Sequence, residues 1–329
     1  MENSNVWIEK YRPQNIEDIV LDPHIHRKMS VITSDRPNVH LIISGLPGTG
    51  KTTSARCIAR RTLGDNLDQG YLELNAAEDR GVRSISNIIP PFCKRVVGFN
   101  TPKVILFDEA DNLTAKCQHD IGNLIKRYGE RTRFIFTCND STKIVEDIQS
   151  VCTIIRYKRM TDPQICIYLK RICECETIVF TESGLSTICY ISDGDMRRAI
   201  NDLQKTAYTH RKIDRKSVLS VCKVPDPDSI KAIIDLCLKS ELVSADKALI
   251  DLILQGYYYP DIITGFSFVL THYANMREDI KLILMQIVFQ TKIAVCTGLR
   301  SRLQLSGMVC RMVRAIKVYG STGATAMQE

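Results

Sequence analysis

The chain has 329 residues, of which 44% are hydrophobic and 25% charged, with a net charge of +7, which suits a globular protein of two or three domains with ample core. No apolar stretch reaches membrane-spanning length, since Leu282 to Phe289 is short and broken by Gln286, and the opening MENSNVWIEK is too polar to read as a secretory signal, so an intracellular protein is expected. Thirteen cysteines at mostly apolar periodic positions, such as Cys57, Cys117 and Cys237, indicate reduced thiols acting as small hydrophobes; the close pair Cys173 and Cys175 has no second pair at metal-site spacing.

Taken in chain order, WIEKYRP at 7–13 predicts an ordered extended segment, because Pro13 biases Arg12 away from helix. Near a nucleotide site its aromatic and turn could hold a base; a surface strap fits the same residues. An apolar run from Val39 to Ile43 then feeds GLPGTGKT at 45–52, which fits the G-x-x-x-x-G-K-[ST] phosphate loop without a mismatch. Ala55, Ile58, Ala59 and Leu63 follow at helical spacing, completing the strand, loop and helix context that the motif requires. Gly45, Gly48 and Gly50 let the backbone curl so that its N–H groups and the helix N-terminus face a polyphosphate. Lys51 would neutralise the β and γ phosphates, and Thr52 would ligate magnesium.

YLELN at 71–75 alternates like a strand, and the charged AAEDRGVR at 76–83 reads either as a solvated loop or helix start, or as a place where Arg80 and its neighbours touch a phosphate backbone. KVILFDEAD at 103–111 is a run of β-formers ending in carboxylates at the edge where parallel sheets place ligands. Asp108 would hold magnesium directly or through water, and Glu109 would serve as general base; an acidic helix start is the bland alternative. FIFTCND at 134–140 is a further strand ending in Asn139, placed to orient a lytic water or simply to turn the chain. Thr153 to Tyr157 supplies the fifth strand, and five apolar runs separated by helical segments predict a parallel α/β sheet.

From Thr161 to Cys222 the periodicity is helical, and in GDMRRAINDLQ at 194–204 Asp195 is the expected N-cap with Met196, Ala199, Ile200 and Leu203 facing inward. Arg197 lies in the first turn, where a cation opposes the helix dipole, so pairing with phosphate is a reason for its presence. KVPDPD at 223–228 marks a linker, and the segments beyond it are helical. The stretch from Ile280 to Val295 is apolar nearly all round, which predicts burial between neighbours or against another chain. GSTGATAMQE at the end is expected to be disordered.

WIEKYRP, GLPGTGKT, LNAAEDRG, ILFDEAD, FIFTCN, IQS-x-C and GDMRRAINDLQ, in this order across residues 7–204, resemble the motifs of the AAA+ clamp loaders, most closely the small subunits of replication factor C. GYYYPDII at 256–263 resembles that family's C-terminal domain. The resemblance implies a RecA-like AAA+ ATPase domain with a parallel five-stranded sheet over 1–160, a small helical lid over 161–222, an all-α collar for oligomerisation over 223–319 and a tail at 320–329. It implies ATP and Mg2+ as ligands, a hetero-pentameric ring with other loader subunits, a sliding clamp and primer-template DNA as partners, and a nuclear location in a eukaryote. Carried over residue by residue, Tyr11, Arg12 and Pro13 fall near adenine. Gly45, Pro47, Gly48, Thr49, Gly50, Lys51, Thr52 and Thr53 fall around the phosphates, Asn139 matches the first sensor and Arg197 the second, and Arg80 with Arg83 lies where the family tracks DNA.

Two departures stand out. The family's arginine finger, which acts on the neighbouring subunit's ATP, is replaced by Val151, and LNASDERG appears as LNAAEDRG. Valine donates no hydrogen bond, so the chain is expected to serve its own ATP site and not an adjacent one; Arg156 matches a different family arginine. Rival readings are a loader of another ring such as a checkpoint clamp, a branch-migration motor, and a subunit that holds ATP only as a structural ligand.

Overall fold

A computed structural model describes residues 6–34, 39–77, 82–95, 102–274 and 276–325. The strands β1 His40–Gly45, β2 Tyr71–Asn75, β3 Lys103–Asp108, β4 Thr132–Cys138 and β5 Cys152–Tyr157 form one parallel sheet in the order β2-β3-β4-β1-β5. All five lie at the apolar runs read from the sequence.

Side chains alternate across a strand, so one continuous apolar run supplies two cores. On one face Leu41, Ile43, Val104, Leu106 and Ile135 pack under Ala55, Ile58 and Ala59 of the helix Lys51–Leu63. On the other, Ile42, Ile105, Phe107, Phe134 and Phe136 meet Cys117, Ile121 and Ile125 of the helix Ala115–Tyr128. Phe107 and Phe136 stack with ring centroids 5.1 Å apart. Because every pairing is parallel, Gly45, Asp108 and Cys138 end their strands at one edge, and the loops that leave there share a crevice.

Helices Asp162–Cys175, Glu182–Ser192 and Met196–Thr209 follow, the last capped by the Asp195 carboxylate, which accepts from the Arg198 N–H. Between 161 and 222 the sequence predicts helix alone. The structure adds a parallel pair of two-residue strands, β6 Val179–Phe180 and β7 Lys212–Ile213, too short to leave any period-two signal.

The N-terminal segment also differs from expectation. Trp7–Lys10 forms one helical turn rather than an extended strand, because Pro13 restricts only Arg12, leaving Tyr11 N–H free to close on the Trp7 carbonyl. Trp7 is buried, its ring 5.9 Å from that of Tyr208 and its backbone N–H donating to Gln204 Oε1, both on the helix Met196–Thr209.

The chain divides into two compact units, residues 1–215 and 216–329. The second holds helices Pro227–Leu238, Leu242–Leu254, Tyr259–His272, Glu278–Cys296 and Arg302–Thr325 around Phe266, Leu284, Val288, Met308 and Met312. The Glu278–Cys296 helix buries one face in this unit and exposes Leu282, Phe289 and Ile293 on another, so its all-round apolarity is only half used here. The terminal helix reaches Thr325, so the tail expected to be disordered is helical over its first residues; 326–329 lie outside the described residues.

Candidate active site

At the end of β1 the chain turns through Gly48 (φ 72°) and Gly50 (φ 88°), conformations that a side chain would strain, and enters the helix Lys51–Leu63 directly. A Cβ at Gly45 would lie 2.8 Å from the Tyr157 carbonyl oxygen, so the loop can leave the sheet only with glycine there. Thr49 is buried and donates to the Leu46 carbonyl at 2.8 Å, and Ser54 donates to the Gly50 carbonyl at 3.0 Å. The loop is thereby closed on itself with a helix N-terminus behind it, the arrangement that receives phosphate.

Lys51 Nζ donates to the carbonyls of Gly45 (2.8 Å) and Leu46 (2.9 Å) and to Asn139 Oδ1 (3.0 Å). Burial pulls its ammonium below the ordinary lysine range, an effect that Asp108 and Asp111 partly offset. Thr52 Oγ1 donates to Asp108 Oδ1 at 2.9 Å, and Thr137 Oγ1 donates to the same oxygen. Glu109, in the left-handed region at φ 55°, has its N–H on Thr137 Oγ1 at 3.2 Å and its carboxylate on Asn112 Nδ2 at 3.1 Å. Asn139 N–H donates to Asp111 Oδ2 at 3.3 Å, while Asp111 Oδ1 is buried without a partner.

The Thr52 hydroxyl and the Asp108 carboxylate, already in contact, make a hard-oxygen donor pair that fits magnesium completed by phosphate and water. No cluster of three or more His, Cys, Asp or Glu able to hold a metal by itself occurs among the described residues. Such an ion would depend on the phosphates it shares.

Most of these groups line a cavity of about 380 Å³ whose wall combines polar and apolar side chains. Pro47, Gly48, Gly50, Lys51, Thr52, Thr53, Asp108, Glu109 and Asn139 supply much of the polar lining, joined by Arg12, Arg56 and Arg197. Ile8, Tyr11, Pro13, Ile19, Val20, Met160, Tyr168, Met196 and Ile200 supply the apolar part of the lining, suited to a flat ring. Arg12 sits half-buried, its pKa held down by burial and then by the Arg56 and Arg197 charges. Arg12 and Arg56 have Glu9 and Glu73 as ion-pair partners, and Lys51 and Arg197 add further positive charge that a polyanion would balance.

Met196 N–H donates to the Gly48 carbonyl at 3.2 Å, and a Cβ on Gly48 would fall 1.8 Å from Asp195 Oδ1. The third helix after the sheet therefore begins directly on the phosphate loop, which is how Arg197 reaches the site.

Of the residues expected here, Gly45 and Thr49 do not line the cavity but hold the loop from behind; the rest border it, apart from two. Arg80 lies outside the described residues, as does the side chain of Arg83, whose backbone belongs to the helix Val82–Lys94. Val151 is 41% exposed between the turn Glu146–Gln149 and β5. Sequence reasoning missed Arg56, which lies one helical turn beyond Thr52 and is held by Glu73 through Nε (3.1 Å) and Nη2 (2.6 Å). Its i+4 spacing from Thr52 was the available signal. Ile19, Val20, Met160 and Tyr168, also in the lining, lie outside every motif and carry no shared local signal.

Residues 41–160 match the family model of the ATPase family associated with various cellular activities (AAA), and residues 225–311 match the replication factor C C-terminal domain. An Acanthamoeba polyphaga mimivirus protein named provisionally as a replication factor C small subunit is 57% identical over 96% of this chain and 99% of its own length. Replication factor C subunit 4 of Schizosaccharomyces pombe is 36% identical over 94% of this chain and 91% of its own. The small subunit of Sulfurisphaera tokodaii is 34% identical over 97% of both. Among solved structures, the Thermotoga maritima RuvB Holliday junction branch migration motor superposes with a TM-score of 0.55 at 16% identity, over 77% of this chain and 90% of that one, a likeness of fold. With both family models and relatives across nearly its whole length in agreement, this chain belongs to the replication factor C small-subunit family of AAA ATPases.

Proposed function

We propose that the chain binds ATP with magnesium in this cavity and works as one subunit of a hetero-oligomeric loader, a pentamer as in the resemblance, that opens a sliding clamp and places it on primer-template DNA. The observation that carries the reading is the interlocked set Lys51–Asn139 and Thr52–Asp108 at the mouth of the phosphate loop, with Arg197 delivered to the same cavity. The loop N–H groups and Lys51 hold the phosphates, and Thr52 with Asp108 holds magnesium, which supplies charge neutralisation when bound. Glu109 takes a proton from the attacking water, Asn139 orients that water, and Arg197 ties the helical lid to the γ-phosphate. Tyr11, Arg12 and Pro13 flank the base. In this reading the lid spans 161–222 and the collar 223–319, Arg80 and Arg83 follow the DNA backbone without reading bases, and in a eukaryotic cell the protein works in the nucleus.

Val151 favours a second reading within the same assembly, in which this chain holds ATP only as a structural ligand and hydrolyses none. An arginine at such a position is worth about 10³ to 10⁵ in rate in related phosphoryl transfers, and the exposed valine cannot supply it. The two readings part on Glu109→Gln in the reconstituted loader. The clamp-loader reading expects nucleotide binding to survive, turnover to fall by about 100-fold or more and loaded clamp to remain trapped. Loading and release at the wild-type rate would instead make this chain a structural ATP-binding member.

A further inference from the structure

Glu176 follows the helix Asp162–Cys175 and is named by no motif, yet it fastens the N-terminal strap to the lid. Its Oε1 accepts from Lys10 Nζ at 2.6 Å and from Tyr11 O–H at 2.7 Å. Tyr168, two turns earlier on the same helix, donates its hydroxyl to the Tyr11 carbonyl, so side chain and backbone of Tyr11 are both held from one lid helix. The Lys10 ammonium sits 5.3 Å from the Tyr11 ring centroid, and Trp7 meets the ring edge-on at 6.4 Å. Tyr11 lines the cavity together with the apolar residues Ile8, Ile19, Met160 and Ile200.

We infer that Glu176 is a positioning residue for the nucleotide base: through Tyr11 and Lys10 it fixes an aromatic wall of the base pocket while taking no part in phosphate binding. The inference rests on the nucleotide reading above. A ring held in one orientation before the ligand arrives costs nothing to order on binding, so its contact with a purine is realised in full. Without the carboxylate, Tyr11 keeps its backbone tie to Tyr168 but its ring is free to turn. The loss falls on whatever carries a base and spares a ligand that is phosphate alone.

The test titrates the full chain with ATP and with inorganic tripolyphosphate, each with magnesium, in wild type, Glu176→Ala, Glu176→Gln and Tyr11→Phe. Glu176→Ala is expected to weaken ATP by about tenfold, the worth of one charge-assisted hydrogen bond, and to leave tripolyphosphate within about twofold. Glu176→Gln keeps an acceptor oxygen and is expected to recover most of the loss, and Tyr11→Phe to reproduce the alanine effect. Equal weakening of ATP and tripolyphosphate would show a merely structural role, and unchanged ATP affinity in Glu176→Ala would show no role; either overturns the inference while leaving the nucleotide site standing. Failure of the wild type to bind either compound is a different result, which removes the nucleotide reading and this inference together.

Discussion

Lys51 illustrates how a single residue serves function at the expense of the resting fold. Its ammonium is partly buried and its pKa is lowered, chiefly by that burial, so the fold desolvates a charge that water would solvate better. Lys51→Met is therefore expected to leave the melting temperature of the nucleotide-free protein no lower than wild type, while the upward shift caused by ATP disappears. A parallel fall in both would contradict this account of the site. Because the charged form binds phosphate, ATP affinity should decline as pH rises through the depressed pKa of Lys51, below the range in which an ordinary lysine loses its proton; titration across alkaline pH checks the sign. Thr52 carries a separate expectation. With its hydroxyl on Asp108 at 2.9 Å, Thr52→Ala should bind ATP as weakly with magnesium as wild type does after chelation. A full magnesium effect in Thr52→Ala would place the ion elsewhere.

At the scale of elements, the contact that matters joins the phosphate loop to the start of the helix Met196–Thr209. Gly48 stands at φ 72° with the capping carboxylate of Asp195 where its Cβ would go. Gly48→Ala strains the loop and displaces Asp195, so it should cost about 1–3 kcal/mol in stability and weaken ATP binding more than Asp195→Ala, which loses only a cap worth about 1 kcal/mol. Denaturation and nucleotide titration of the two variants check the order, and the reverse order would mean that the helix start does not rest on the loop.

The same comparison shows what a sequence can carry. Leu41 to Ile43 and Val104 to Phe107 were legible as strands because burial on both faces leaves an unbroken apolar run, and Asp195 was legible as a cap because its carboxylate acts on a neighbour three residues away. The turn at Trp7–Lys10 was not, since its stability comes from Tyr208 and Gln204, about two hundred residues distant. Nor were β6 and β7, whose two residues each fall below any period. Within the site, the polar lining is written in contiguous motifs, whereas Ile19, Met160 and Tyr168 are single apolar residues that only the fold brings together.

For the whole molecule, the decisive question is whether this cavity drives an assembly. In the proposed reading the cavity serves its own nucleotide and Val151 offers no donor to a neighbour, so turnover at this site should respond to the partners that the loader grips and be indifferent to an arginine restored at position 151. The most direct test is ATP turnover of the chain reconstituted with its sister subunits, with and without sliding clamp and primed DNA, comparing wild type with Val151→Arg. The account predicts strong stimulation by clamp plus DNA that Val151→Arg leaves unchanged. Absence of stimulation, or turnover that appears only with Val151→Arg, would contradict it.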